Sequence, residues 1–227
     1  MNTHRHRPNQ AHRTVTAALA AALVVLTATG CQPARAGSGT TAVNASTARE
    51  ARRMLDSLTV RAQDTGAHYL RSDWGTWAAG ADHCDTRARV LVRDAIPGTL
   101  RHGTGCRISG GAWISSYDGV RIIDPHLVQI DHRVPVHEAA QSETRSWSST
   151  ERHRFYNDPD NLVAVSARSN TSKGDGDPGQ WRPPNRSSWC AYATGYIATK
   201  RRYALTIDPA ERAALVAMLN GCPGGAR

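Results

Sequence analysis

An aspartate followed directly by a histidine, Asp131-His132, closes an alternating run from His126 to Val134 that Pro135 stops. Asn161 and Asn170 follow, and Lys173 comes three places after the second asparagine. These residue types suit hydrolysis of a phosphodiester. That reaction needs a base for water, a cation to hold the scissile phosphate and its leaving oxygen, and a group that aims the base. A histidine with the ordinary pKa of about 6.5 accepts a proton near neutrality. His132 is therefore the candidate general base, and the expected rate rises with pH through an apparent value of about 6–7. Asp131 and Asn170 offer one carboxylate and one amide oxygen. Completed by water and phosphate, that set suits Mg²⁺, with Mn²⁺ as the second choice. Asn161 stands before the second strand, where its amide can bond the loop carrying His132 and fix the ring.

Lys173 shares a helical face with Asn170 and either contacts phosphate or settles the helix C-terminus through the dipole. Arg133 and Arg154 are further candidates for phosphate contact, and Trp147 and Trp181 for stacking on bases. His137 and Glu138 are expected at the surface. The run His137-Glu138-Ala139-Ala140-Gln141 resembles a zinc-peptidase helix, but Gln141 occupies the second ligand position, which removes the peptidase reading.

The elements that position this set run strand, strand, short helix over residues 128–173. On a fully extended strand Asp131 and His132 face opposite sides, so a kink at the strand end is expected to turn both into one cleft. Residues 161–166 form a short β run. Ser166 then caps a helix through Lys173 that Gly174 stops. Ala48, Ala51, Met54, Leu55 and Leu58 lie at helical spacing in a helix over 47–58. Residues 66–82 read as irregular, 86–95 as either helix or strand, and 112–117 as a strand. Two C-terminal helices follow, the second capped by Asp208 with Pro209 at its first position. The class is α+β, with a ββα-metal core, flanking helices and disulfide staples.

Several segments together resemble secreted bacterial HNH endonucleases. They are Cys84-Asp85-Thr86-Arg87, Gly110-Gly111-Ala112-Trp113, Asp131-His132-Arg133-Val134-Pro135, Phe155-Tyr156-Asn157-Asp158, Asn161-Leu162-Val163-Ala164-Val165, Ser169-Asn170-Thr171-Ser172-Lys173-Gly174-Asp175 and Trp181-Arg182-Pro183-Pro184. The likeness covers roughly residues 66–222. It implies Asp131 and Asn170 as metal ligands, His132 as general base and Asn161 as the orienting residue. Asn170 replaces the final His of the motif, a variant compatible with Mg²⁺ and opposed to a tight zinc site.

Residues 1–36 join a basic, acid-free start to an apolar run too short to span a bilayer, which reads as an export signal. Cleavage before Cys31 leaves a lipid-anchored protein, and cleavage after Ala34-Arg35-Ala36 a soluble one. Residues 37–46 read as a linker and 47–222 as one nuclease domain. The whole chain carries 28 Lys and Arg against 19 Asp and Glu. Four of the arginines lie in 1–36, so the remainder has 24 against 19, a charge of +5. That balance favours a polyanion, expected to be DNA gripped with little sequence selectivity. No obligate protein partner is expected, and membrane attachment only through Cys31. Cys84, Cys106, Cys190 and Cys222 contain no C-x-x-C pair that would favour zinc, and an extracellular location favours disulfides. The expected pairing is sequential, Cys84–Cys106 and Cys190–Cys222.

Overall fold

The computed structural model describes residues 44–224. The export signal, both cleavage readings and most of the linker lie outside the described residues. The last two linker positions instead open helix α1, Ala45–Asp56, because the Asn44 side chain caps it by accepting from Thr47 N. Its apolar stripe, Ala48, Ala51 and Leu55, is buried. A single 3₁₀ turn, Arg71–Trp74, lies in the stretch read as irregular.

The undecided segment is helical: α2 spans Thr86–Asp94, with the Asp85 side chain accepting from Ala88 N at 2.7 Å. A capping carboxylate decides what periodicity left open. Two short antiparallel pairs follow, β1 (Arg101–His102) with β2 (Ile108–Gly110), and β3 (Trp113–Ile114) with β4 (Arg121–Ile122). The strand expected over 112–117 is cut to two residues. The turn at Asp118-Gly119 closes early, with Ser115 N donating to Val120 O and Gly119 at φ 75°.

The central hairpin joins β5 (Val128–His132) to β6 (Leu162–Ser166). Between them lie α3 (Val136–Ala140) and α4 (Ser149–Tyr156). Helix α5 (Ala167–Lys173) leaves β6 directly, capped by Ser166 and ended by Gly174, and packs on both strands. The register is regular to its end, with Asp131 opposite Val163 and His132 opposite Leu162. No kink intervenes. Helices α6 (Trp189–Arg202) and α7 (Pro209–Asn220) pack on α1 and build the larger core around Tyr196, Ile197, Leu215 and Met218. A smaller core, centred on Trp113, Val128 and Ala164, lies under α2 and the strands.

Glu138 is not at the surface. It is 2% exposed and accepts from Lys200, whose Nζ also lies 3.0 Å from Glu211 and donates to Thr206 O. Gln63 bridges Glu138 to Asp177 at 2.8 and 3.0 Å. The apolar neighbours on α3, Val136 and Ala139, turn that helix inward, and the carboxylate follows them to its ammonium partner.

The bridges join Cys84 to Cys106 and Cys190 to Cys222, with Cα separations of 5.2 and 5.5 Å. The second ties the start of α6 to the end of α7. Reduction is expected to lower the melting temperature by several degrees or more, since each closed loop contributes about 2–4 kcal/mol. Thermal melts with and without reductant measure this, and superimposable melts would refute it.

Candidate active site

His132 is the last residue of β5 and is 4% exposed. Its Nε2 lies 2.8 Å from the carbonyl of Tyr156, the final residue of α4. A carbonyl only accepts, so Nε2 carries the proton and Nδ1 holds the lone pair of the neutral ring. The same bond satisfies one of the carbonyls that a helix C-terminus leaves unpaired. The ring is stacked with Trp77, centroids 5.7 Å apart, and lies 4.7 Å from the Tyr156 ring.

Burial in this aromatic box lowers the His132 pKa to about 4, against the opposing pull of the Tyr156 carbonyl and of Asp131. This corrects the expectation of a titration near neutrality: an imidazole removed from water is already a neutral acceptor in mildly acidic solution.

Asp131 leaves the ladder on the other side. Its Oδ2 accepts from Tyr117 Oη at 2.6 Å and lies 2.9 Å from Lys173 Nζ. Lys173 is sealed from solvent and also donates to the His132 carbonyl at 2.9 Å. Neither role expected of Lys173 is therefore met. The hairpin's buried carboxylate draws the ammonium inward, where it locks α5 to β5. Both contacts fall on Oδ2, which leaves Oδ1 as the carboxylate oxygen for a ligand.

Asn161, fully buried, grips the strand end from both sides: Val134 N donates to its Oδ1 at 2.9 Å and its Nδ2 donates to Val134 O at 3.1 Å. Its carbonyl accepts from Arg133 N at 2.8 Å. Asn170, half-buried on α5, accepts from Gly174 N through its backbone, and no described contact occupies its amide. Arg133 is half-buried and spends one guanidinium nitrogen on the Asp160 carbonyl. Arg154 is exposed, with its guanidinium 5.7 Å from the Tyr203 ring centroid. Trp147 and Trp181 are partly buried against the core, Trp181 edge-on to Tyr117 at 5.1 Å. His137 packs on Tyr69 with centroids 4.8 Å apart.

Three residues at the site escaped sequence reasoning. Tyr117 was read only as a strand end, and no spacing ties it to Asp131. Asn157 stands in the sequence only within Phe155-Tyr156-Asn157-Asp158, which gives it no role. Its side chain accepts from Ala78 N and Thr86 Oγ1 and donates to Thr76 O, fastening residues 76–86 to the end of α4. Asp118 carries no signal of its role in the sequence. It accepts from Ser166 and Ser169 hydroxyls and so fixes the first turn of α5, where a carboxylate also meets the positive end of the helix dipole.

The arrangement therefore brings together a neutral imidazole, a backbone clamp beside it, and an antiparallel hairpin feeding a short helix. The family described as GmrSD restriction endonucleases, C-terminal domain, matches residues 99–218. The chain belongs to this family. It is thus a nuclease-family protein. An "Uncharacterized secreted protein" of the fungus Arthroderma benhamiae is 38% identical over 181 residues, which is 79% of this chain and 88% of that protein. The likeness is accordingly not confined to bacteria. No solved structure matches the chain. Every residue of the candidate site from Tyr117 to Lys173 falls inside the family match, whereas Trp77 falls before it.

For a divalent ion, the donors present are Asp131 Oδ1 and the Asn170 amide oxygen, hard ligands that suit Mg²⁺. Among the described residues no cluster of three His, Cys, Asp or Glu side chains that could hold a metal ion forms, so any ion held by these two oxygens alone would have to keep most of its water. The Lys173 charge on the same carboxylate weakens it further.

Proposed function

We propose that the chain hydrolyses phosphodiester bonds of DNA outside the cell, as an HNH-type, metal-dependent endonuclease with His132 as general base. The observation that carries this reading is the bond from His132 Nε2 to the last carbonyl of α4. It leaves Nδ1 free to take a proton from water. It also sets the negative end of a helix against the imidazolium that forms, offsetting part of the cost of charging a buried ring. Asn161 holds the chain just past the base, so the ring is aimed before substrate arrives. Asp131 and Asn170 would hold Mg²⁺ or Mn²⁺, which when bound supplies positive charge to the scissile phosphate and leaving oxygen. A substrate laid across the end of the hairpin would meet the base on one side and these oxygens on the other. The two bridges and the printed name of the fungal relative support an extracellular site of action.

A second reading rests on the ion pair between Lys173 and Asp131. If that pair outcompetes a metal, the protein binds nucleic acid without cutting it. One experiment separates the two. Purified protein lacking residues 1–36 is expected to nick plasmid with Mg²⁺ or Mn²⁺, and excess EDTA to abolish nicking. Asn170→Ala and Asp131→Asn are each expected to remove activity while circular dichroism stays unchanged. Cleavage undiminished in EDTA would sink the metal-dependent mechanism, and binding without cleavage in Mg²⁺ would establish the second reading. Parallel reactions on single-stranded DNA and on RNA define the sugar and strand preference.

A further inference from the structure

One of the faces packed on the His132 ring comes from outside the family match. Residues 69–77 precede residue 99, where that match begins, yet they carry Trp77, stacked on the His132 ring, and Arg71, whose guanidinium carbon lies 5.6 Å from the Tyr156 ring centroid. Tyr156 is the residue whose carbonyl holds His132. Arg71 is solvent-exposed. The segment is anchored by the Asn157 side chain and by the Cys84–Cys106 bridge just beyond it.

Several other cations around the site are already engaged. Lys173 pairs with Asp131, Arg202 with Asp158 and Asp160, Arg93 with Asp94, and Arg133 with the Asp160 carbonyl. Among the described residues Arg71 makes no ion pair with a carboxylate. It is instead steadied by the π face of Tyr156, which orients a guanidinium without neutralising it. A planar, solvent-exposed cation held in this way presents paired N–H donors to an anion with two oxygens.

We propose that Arg71 grips a backbone phosphate of the nucleic acid substrate beside His132, so that the segment preceding the family domain completes the binding site. The proposal deepens the nuclease reading and rests on it for the identity of the ligand.

The test is fluorescence anisotropy with a short labelled single-stranded oligonucleotide in EDTA, where metal-dependent hydrolysis does not run, over a series of salt concentrations. Arg71→Ala is expected to weaken affinity about tenfold and to lower the salt dependence by about one phosphate contact, a slope change of about 0.7. Arg71→Lys is expected to keep the slope and recover part of the affinity, since it keeps the charge and loses the fork. In Mg²⁺, Arg71→Ala is expected to raise KM for plasmid more than it lowers kcat. Unchanged affinity and slope overturn the proposal, as does a lowered melting temperature with an unchanged slope, which assigns Arg71 to structure alone. Wild-type protein that cuts DNA with no dependence on Arg71 overturns the proposal and leaves the nuclease reading standing. Wild-type protein that binds through Arg71 without cutting retains the phosphate contact and overturns hydrolysis. Wild-type protein that does not bind the oligonucleotide removes both.

Discussion

Replacing His132 with alanine is expected to slow single-turnover nicking of plasmid at least about 100-fold, the usual scale for loss of a positioned general base. Oligonucleotide affinity in EDTA and the Mg²⁺ concentration for half-maximal rate should change little, because the base is distinct from the oxygens that would hold the ion. Burial sets the accompanying pH profile. A histidine held near pKa 4 is neutral at pH 5.5, so the base should impose no loss of rate between pH 7 and pH 5.5. The sign for stability runs the other way. The folded pKa lies below the ordinary 6.5, so the unfolded chain binds the proton first. Stability is unaffected above about 6.5 and falls as pH drops from there towards 4. An NMR titration of the His132 ring alongside the pH–rate profile tests both. Metal dependence lost as completely in His132→Ala as in Asp131→Asn would make His132 a ligand and end its assignment as base.

Lys200→Met is expected to cost the fold about 3–5 kcal/mol. The lysine is fully buried between Glu138 and Glu211, with Ser142 Oγ at 3.0 Å and Thr206 O at 2.8 Å. Alone, burial would lower the lysine pKa. The two carboxylates reverse that and hold it above the ordinary value. Burial already pushes Glu211 up, and Asp177, next in the network through Gln63, is raised by burial and by Glu138. Without the ammonium these acids must either share the interior as charges or take up protons. The destabilisation should therefore be greater at pH 8 than at pH 5, where protonation relieves it. Urea unfolding at the two pH values measures the difference. An equal loss at both would show that the network does not depend on its charge.

Local signals in the chain made much of this legible. Ser166 and Gly174 bracket α5, Asp208 and Pro209 start α7, and the alternation through Val128 and Ile130 marks β5, because caps, turns and periodicity are short-range physics. What stayed hidden depends on partners distant in sequence. The role of Tyr117 exists only through Asp131, and the inward turn of Glu138 only through Lys200. The burial of Lys173 exists only because β5 presents a carboxylate and a carbonyl beneath α5. The low pKa of His132 is hidden for the same reason, since residue type gives the ordinary value and only the packing of Trp77, Phe155 and Tyr156 removes the water. The expected kink failed because the β5–β6 hydrogen bonds continue to His132, and a continuous ladder outweighs Pro135 three positions later.

The two bridges also bear on how this domain can be handled as a unit. Residues 99–218 include Cys106 and Cys190 but exclude Cys84 and Cys222, so each bridge straddles one limit of the family match. A fragment excised at those limits would carry two orphan thiols, free to couple with each other or with a second molecule. It would also lose α1 from beneath α6 and the Trp77 face from the His132 ring. The autonomous folding unit is thus longer than the family match, and its two flanks are sewn on covalently.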